Sequence, residues 1–148
     1  MDSVRSRDVV ALRKLLWVGP LVIVCAIIAN LIIRTIATAF LGVPETFQYF
    51  QGTTIIGSTI TYLLLALLAF VLVCRFARRP FHFYRILALI ALLISLLTPV
   101  LALSGLMPIP GMSMRIFWVM IAMHVVSAAI TVSLLTTLTH GSSKQRTN

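Results

Sequence analysis

Acidic side chains are nearly missing from this 148-residue chain, which holds three Asp and Glu against twelve Lys and Arg. Asp2 and Asp8 stand at the very beginning, so Glu45 is the one carboxylate in everything that follows. No apolar run contains an acid. That excludes the intramembrane carboxylate with which proton-coupled carriers hold and release a proton. It also removes the group that would orient a histidine beside a nucleophilic Ser or Thr. Cysteine is as scarce. Cys25 and Cys74 form no CxxC, which excludes the dithiol chemistry of small quinone-linked membrane enzymes, and both read as buried free thiols that pack as small hydrophobes. Of the three histidines only His124 falls inside an apolar run, since His82 and His140 flank such runs. A b-type haem needs two axial ligands and a zinc site three or four, so neither a cofactor nor a metal is expected.

What the chain does have is apolar surface. It is 60% apolar and 10% charged with a mean hydropathy of +1.08, against about 45–50% and about 25% in soluble domains. Four apolar runs, at about 15–40, 53–74, 86–106 and 116–138, leave only short connections. There is no room for an appended enzyme, receptor or nucleic-acid module. A bilayer core about 30 Å thick needs about 20 helical residues, which each run supplies. None alternates with period two, and backbone polar groups in lipid must be satisfied within their own segment, so helices are expected rather than barrel strands. The fold class is therefore all-α, an integral membrane four-helix transmembrane bundle in a single domain, with a disordered tail from about 141 to 148.

The first run is longer than the 7–15 residues of a cleaved signal, and Arg34 precedes its A-x-A pattern, so it reads as a retained anchor. Basic residues number four before span 1, four between spans 2 and 3, and two after span 4, against Arg34 and Arg115 on the other side. Ten against two puts both termini in the cytoplasm, N-in and C-in, in the cell membrane. The same flank positions explain the net charge of +9 without nucleic acid. Phe47, Tyr49 and Phe50 in the first outer loop, with Phe117 and Trp118 near the second, are expected at the outer headgroups. Trp17, Phe81, Phe83 and Tyr84 do the same on the inner side. The inner loop from Arg75 to Arg85 interleaves Arg75, Arg78, Arg79 and Arg85 with aromatics. It reads as a retention anchor whose arginines meet anionic lipid headgroups, or as a recognition surface for such a lipid or a cytosolic partner.

Helical spacing arranges small and polar residues in rows: Ala26, Asn30, Arg34 and Ala37 in span 1; Thr54, Ser58, Thr61 and Leu65 in span 2; Ala91, Ser95, Thr98, Ala102 and Gly105 in span 3; Met120, His124, Ser127 and Thr131 in span 4. Lipid offers these groups no hydrogen bond, so each row is expected to turn toward other helices. At about 1.5 Å per residue, Arg34 lies about 9 Å from the outer end and Asn30, Thr61, Thr98 and His124 about 12 to 15 Å. A polar cup opening outward over an apolar floor is the expectation. Its candidate lining is Asn30, Arg34, Thr61, Thr98 and His124, with Glu45 nearby as the partner of Arg34. An arginine at the bilayer centre costs about 2.5 to 3.5 kcal/mol. Arg34 either reaches the interface with its long stem or binds an anion from outside with Asn30 as second donor. His124 is expected to make an interhelical hydrogen bond to Asn30, Thr98 or Thr61, and Pro99 to kink span 3 beside the cup.

Arg13-Lys14, Asn30, Gly42-Val43-Pro44, Arg78-Arg79-Pro80, Leu97-Thr98-Pro99 and Met123-His124, spaced over four spans, resemble the pattern of small four-span bacterial membrane proteins classed only as a domain of unknown function. The resemblance implies a bacterial cytoplasmic membrane and carries no activity. From the residues, the leading expectation is a non-enzymatic structural or ligand-binding bundle, able to self-associate. A small-solute or ion transport component is one alternative, and a lipid- or quinone-handling enzyme built on His124 is another.

Overall fold

The structure, a computed structural model, describes residues 12–139. The expected tail at 141–148 lies outside them. After one 3-10 turn at Leu12–Lys14, helix α1 runs Leu15–Phe40, α2 Gly52–Phe76, α3 Pro80–Ser95, α4 Leu97–Leu103 and α5 Met114–Leu138. There is no strand among the described residues. α3 and α4 together form one span, Pro80–Leu103, so four segments are long and apolar enough to cross a membrane.

The span 3 boundaries differ from expectation for local reasons. Proline is favoured in the first helical turn, where its missing N–H has no partner to lose, and Pro80 starts α3 there. The expected 75–85 loop shrinks to Ala77–Arg79 as a result. Farther along, Pro99 has no N–H to return to the Ser95 carbonyl, and the helix is interrupted at Leu96. α5 opens on Ser113, whose hydroxyl accepts from the Ile116 N–H at 3.4 Å.

α1 packs against α5 and α2, while the third span packs against α2 and α5. The four segments thus stand in a ring, with α1 diagonal to the third span. Loops Leu41–Gln51 and Ser104–Ser113 share one end, here the loop end; the Ala77–Arg79 connection marks the turn end. Two apolar clusters fill the ring. Ala37, Phe47, Phe50, Ile55, Ile116, Val119 and Met120 form the one at the loop end. Val18, Val22, Ala26, Leu63, Phe70, Phe81, Tyr84 and Leu135 form the one at the turn end.

Aromatics expected at the headgroups partly turn inward. Phe47 and Phe50 are buried with centroids 5.3 Å apart. Phe81 and Tyr84 close on Phe70, the Tyr84 ring edge-on at 4.8 Å. Between short-looped helices these rings find more packing than the interface offers. Trp17, Phe83 and Trp118 stay exposed.

Candidate functional site

Between the two clusters lies a small polar layer centred on Asn30. The Asn30 amide nitrogen donates to Thr59 Oγ1 on α2 at 3.1 Å and to Ser127 Oγ on α5 at 3.0 Å. The Ser127 hydroxyl lies 3.2 Å from Asn30 Oδ1 and donates to it. Both amide protons and the amide oxygen are therefore engaged. Sequence order explains the position: α1 carries Asn30 between Ala26 and Ala37, and α2 carries Thr59 between Ile55 and Leu63. One of each flanking pair belongs to each apolar cluster. Thr131, buried one turn beyond Ser127, donates to the Ser127 carbonyl at 2.7 Å.

The expected cup is only partly assembled. Asn30 is buried and bridges α1, α2 and α5, but through Thr59 and Ser127. Thr61 and Thr98 are exposed on the outside of the bundle, and Thr61 donates to the carbonyl of Gly57 at 2.9 Å in its own helix. His124 is half-buried, with Nδ1 2.7 Å from the Met120 carbonyl. A carbonyl only accepts, so Nδ1 carries the proton, and the expected interhelical bond is replaced by one along α5. The expected outward opening is covered, because Phe47, Phe50, Ile116 and Met120 pack on the loop-end side of the layer.

Arg34 also differs from expectation. Its Nε donates to the Phe50 carbonyl at 2.5 Å, Glu45 is exposed in the loop, and no Arg34–Glu45 ion pair forms among the described residues. Arg115 Nη1 donates to the Leu41 carbonyl at 3.1 Å. The two basic residues that run against the charge bias thus hold the two ends of the 41–51 loop. That loop leaves α1 through Gly42 at φ +62°, which lets the Val43 N–H return to the Ala37 carbonyl at 3.3 Å. Backbone carbonyls take the place of the expected carboxylate because they are fixed and adjacent, whereas Glu45 would lose solvation and side-chain freedom to pair. Among the described residues no three of His, Cys, Asp and Glu gather as metal ligands would.

Thr59 stands outside the small and polar rows expected from the sequence. It lies on the face of Ile55, Leu63 and Phe70, all buried, whereas Ser58 and Thr61 of the small-residue row are exposed on the outside of the bundle and Thr54 is half-buried. Ile56, Ile60, Leu64 and Leu68, equally apolar, are exposed, so apolar spacing along α2 does not mark this face.

Four apolar spans in a ring around a buried, hydrogen-bonded polar layer define a helical multi-pass membrane protein. More particularly, the chain belongs to a family of unknown function (DUF6069), whose model matches residues 10–140. No curated protein and no solved structure matches it.

Proposed function

We propose that the chain is a non-enzymatic structural bundle of the cell membrane, in which the interior polar groups hold the helices in register. The observation that carries this reading is the engagement of Asn30: the amide spends both protons on α2 and α5 and accepts from Ser127, so it has no donor left for a ligand. A ligand pocket around Asn30, Arg34, Glu45, Thr61, Thr98 and His124 would need these groups to reorient toward one another. A transport component would need polar lining along the turn-end half, where Val18, Val22, Leu63, Phe70 and Leu135 meet. An enzyme on His124 would need an activating partner for Nε2. The reading includes both termini on the cytoplasmic side, supported by the ten-to-two distribution of basic residues.

The test is mass spectrometry of small molecules that co-purify in mild detergent, combined with thermal unfolding. The expected result is no stoichiometric polar small molecule, and a lowered melting temperature for Asn30→Leu. A bound polar solute lost in Asn30→Leu, with the melting temperature unchanged, would refute the structural reading.

A further inference from the structure

The turn end carries an arginine group that the polar layer does not involve. Arg75 closes α2, Arg78 and Arg79 make up most of the connection, and Arg85 stands in the second turn of α3; all four are exposed. Among the described residues nothing gives them a counter-charge. Glu45, the only acid among the described residues, sits at the opposite end, and no ion pair joins any of the four to another described residue. Nor does Arg79 spend its side chain on the helix it precedes, since it makes no capping hydrogen bond.

The backbone beneath them is fixed. The Ala77 N–H donates to the Val73 carbonyl at 2.8 Å and the Phe83 N–H to the Arg79 carbonyl at 3.1 Å. Phe81 and Tyr84, 5% and 2% exposed, key the start of α3 into the bundle against Phe70. With those two rings buried, Arg78, Arg79 and Arg85 remain exposed around them. Phe76 and Phe83, 78% and 55% exposed, stand among the arginines where acyl chains meet headgroups. Guanidinium groups pair with phosphate in a bidentate manner, and held together at a low-dielectric boundary they repel one another until an anion is supplied.

We infer that Arg75, Arg78, Arg79 and Arg85 form a preorganised site for the phosphate of an anionic phospholipid, its acyl chains lying against Phe76 and Phe83. The four spans already put this turn at a membrane boundary, so the site needs no assumption about which leaflet that is. Lipid is favoured over a soluble anion because exposed rings, Phe76 and Phe83, are interspersed with the cations. A soluble partner would leave those rings unused.

The experiment uses the full chain in phosphatidylcholine nanodiscs doped with phosphatidylglycerol. Native mass spectrometry counts retained anionic lipid, and thermal unfolding reports its effect. Each arginine is expected to contribute about fivefold to retention. Wild type should hold phosphatidylglycerol over phosphatidylcholine and melt higher in its presence. R75Q/R78Q/R79Q/R85Q should lose both effects, while Arg115→Gln at the loop end keeps them. Equal retention by the quadruple variant overturns the inference. So does an equal rise in melting temperature from inorganic phosphate or from soluble polyglutamate. Circular dichroism checks that the variants fold. Should the quadruple variant not fold, R78Q/R79Q decides the matter, because it changes only exposed residues of the connection, and unchanged retention there is equally fatal.

Discussion

Asn30 shows how much one amide does in a medium that cannot solvate it. In water an exposed asparagine exchanges its hydrogen bonds freely, but within lipid it must find fixed partners, and here they belong to two other helices. Interhelical hydrogen bonds in membranes average about 0.6 kcal/mol with an upper value of about 1.7. A double-mutant cycle of Asn30→Leu and Ser127→Ala, read by unfolding in detergent, should give a coupling of about 0.6 to 1.7 kcal/mol. A coupling near zero would mean that the pair is not formed in the folded protein. Neighbouring threonines on α2 supply the contrast. Thr59→Val removes the acceptor of an Asn30 proton and should lower stability by about 1 kcal/mol. Thr61→Val removes only a bond back to its own helix and should stay within about 0.5 kcal/mol of wild type. This distinction was not legible in the sequence, because Ser58, Thr59 and Thr61 are all small hydroxyl residues within one turn. Only the rotation of α2 about its axis, set by how Ile55, Leu63 and Phe70 pack, chooses which of them faces inward.

At the scale of elements, the loop between α1 and α2 is the most constructed connection in the molecule. Gly42 turns the chain at φ +62°, Arg115 and Arg34 hold the carbonyls at its two ends, and Phe47 and Phe50 seal it onto the core. A side chain at Gly42 would be held in the left-handed region at about 1 to 2 kcal/mol. Gly42→Ala should therefore destabilise the bundle by that amount in thermal unfolding. Arg34→Met keeps much of the apolar stem while removing the donor to Phe50. Amide hydrogen exchange should quicken at 48–53 in this variant and stay as in wild type around Leu63 to Phe70. Uniform quickening along α2 would show that Arg34 supports the whole bundle and not the loop alone. The sequence marked Arg34 as the charge that needed explaining, and it also offered Glu45 as the obvious partner. Charge complementarity is legible from letters, whereas the nearness of a backbone carbonyl is a property of the folded loop.

For the molecule as a whole, the ring of spans makes a closed interior with apolar material at both ends and a thin polar layer between them. Continuous polar lining is what lets water and ions cross. Liposomes containing the reconstituted protein and loaded with a potassium-sensitive dye are thus expected to leak no faster than empty ones, and rapid leakage would contradict the closed interior. The outside of the bundle is apolar over the third span, which is the least enclosed of the four. In a membrane this is the ordinary condition of a lipid-facing helix, not an exposed core.

Hydropathy alone determined that the chain crosses a membrane four times as helices, because the cost of unpaired backbone in lipid leaves a 20-residue apolar run no other structure. Span number, approximate limits and the clustering of arginines at one end follow from composition and order, without any coordinates. The tertiary structure decided where side chains point: Asn30 toward Thr59 and Ser127 instead of His124, Arg34 to Phe50 instead of Glu45, Phe47 and Phe50 into the core instead of the headgroups. Those choices depend on the rotation and contact of helices. With lipid nearly as apolar as the core, hydrophobicity barely separates inside from outside, so close packing and a few hydrogen bonds settle the matter.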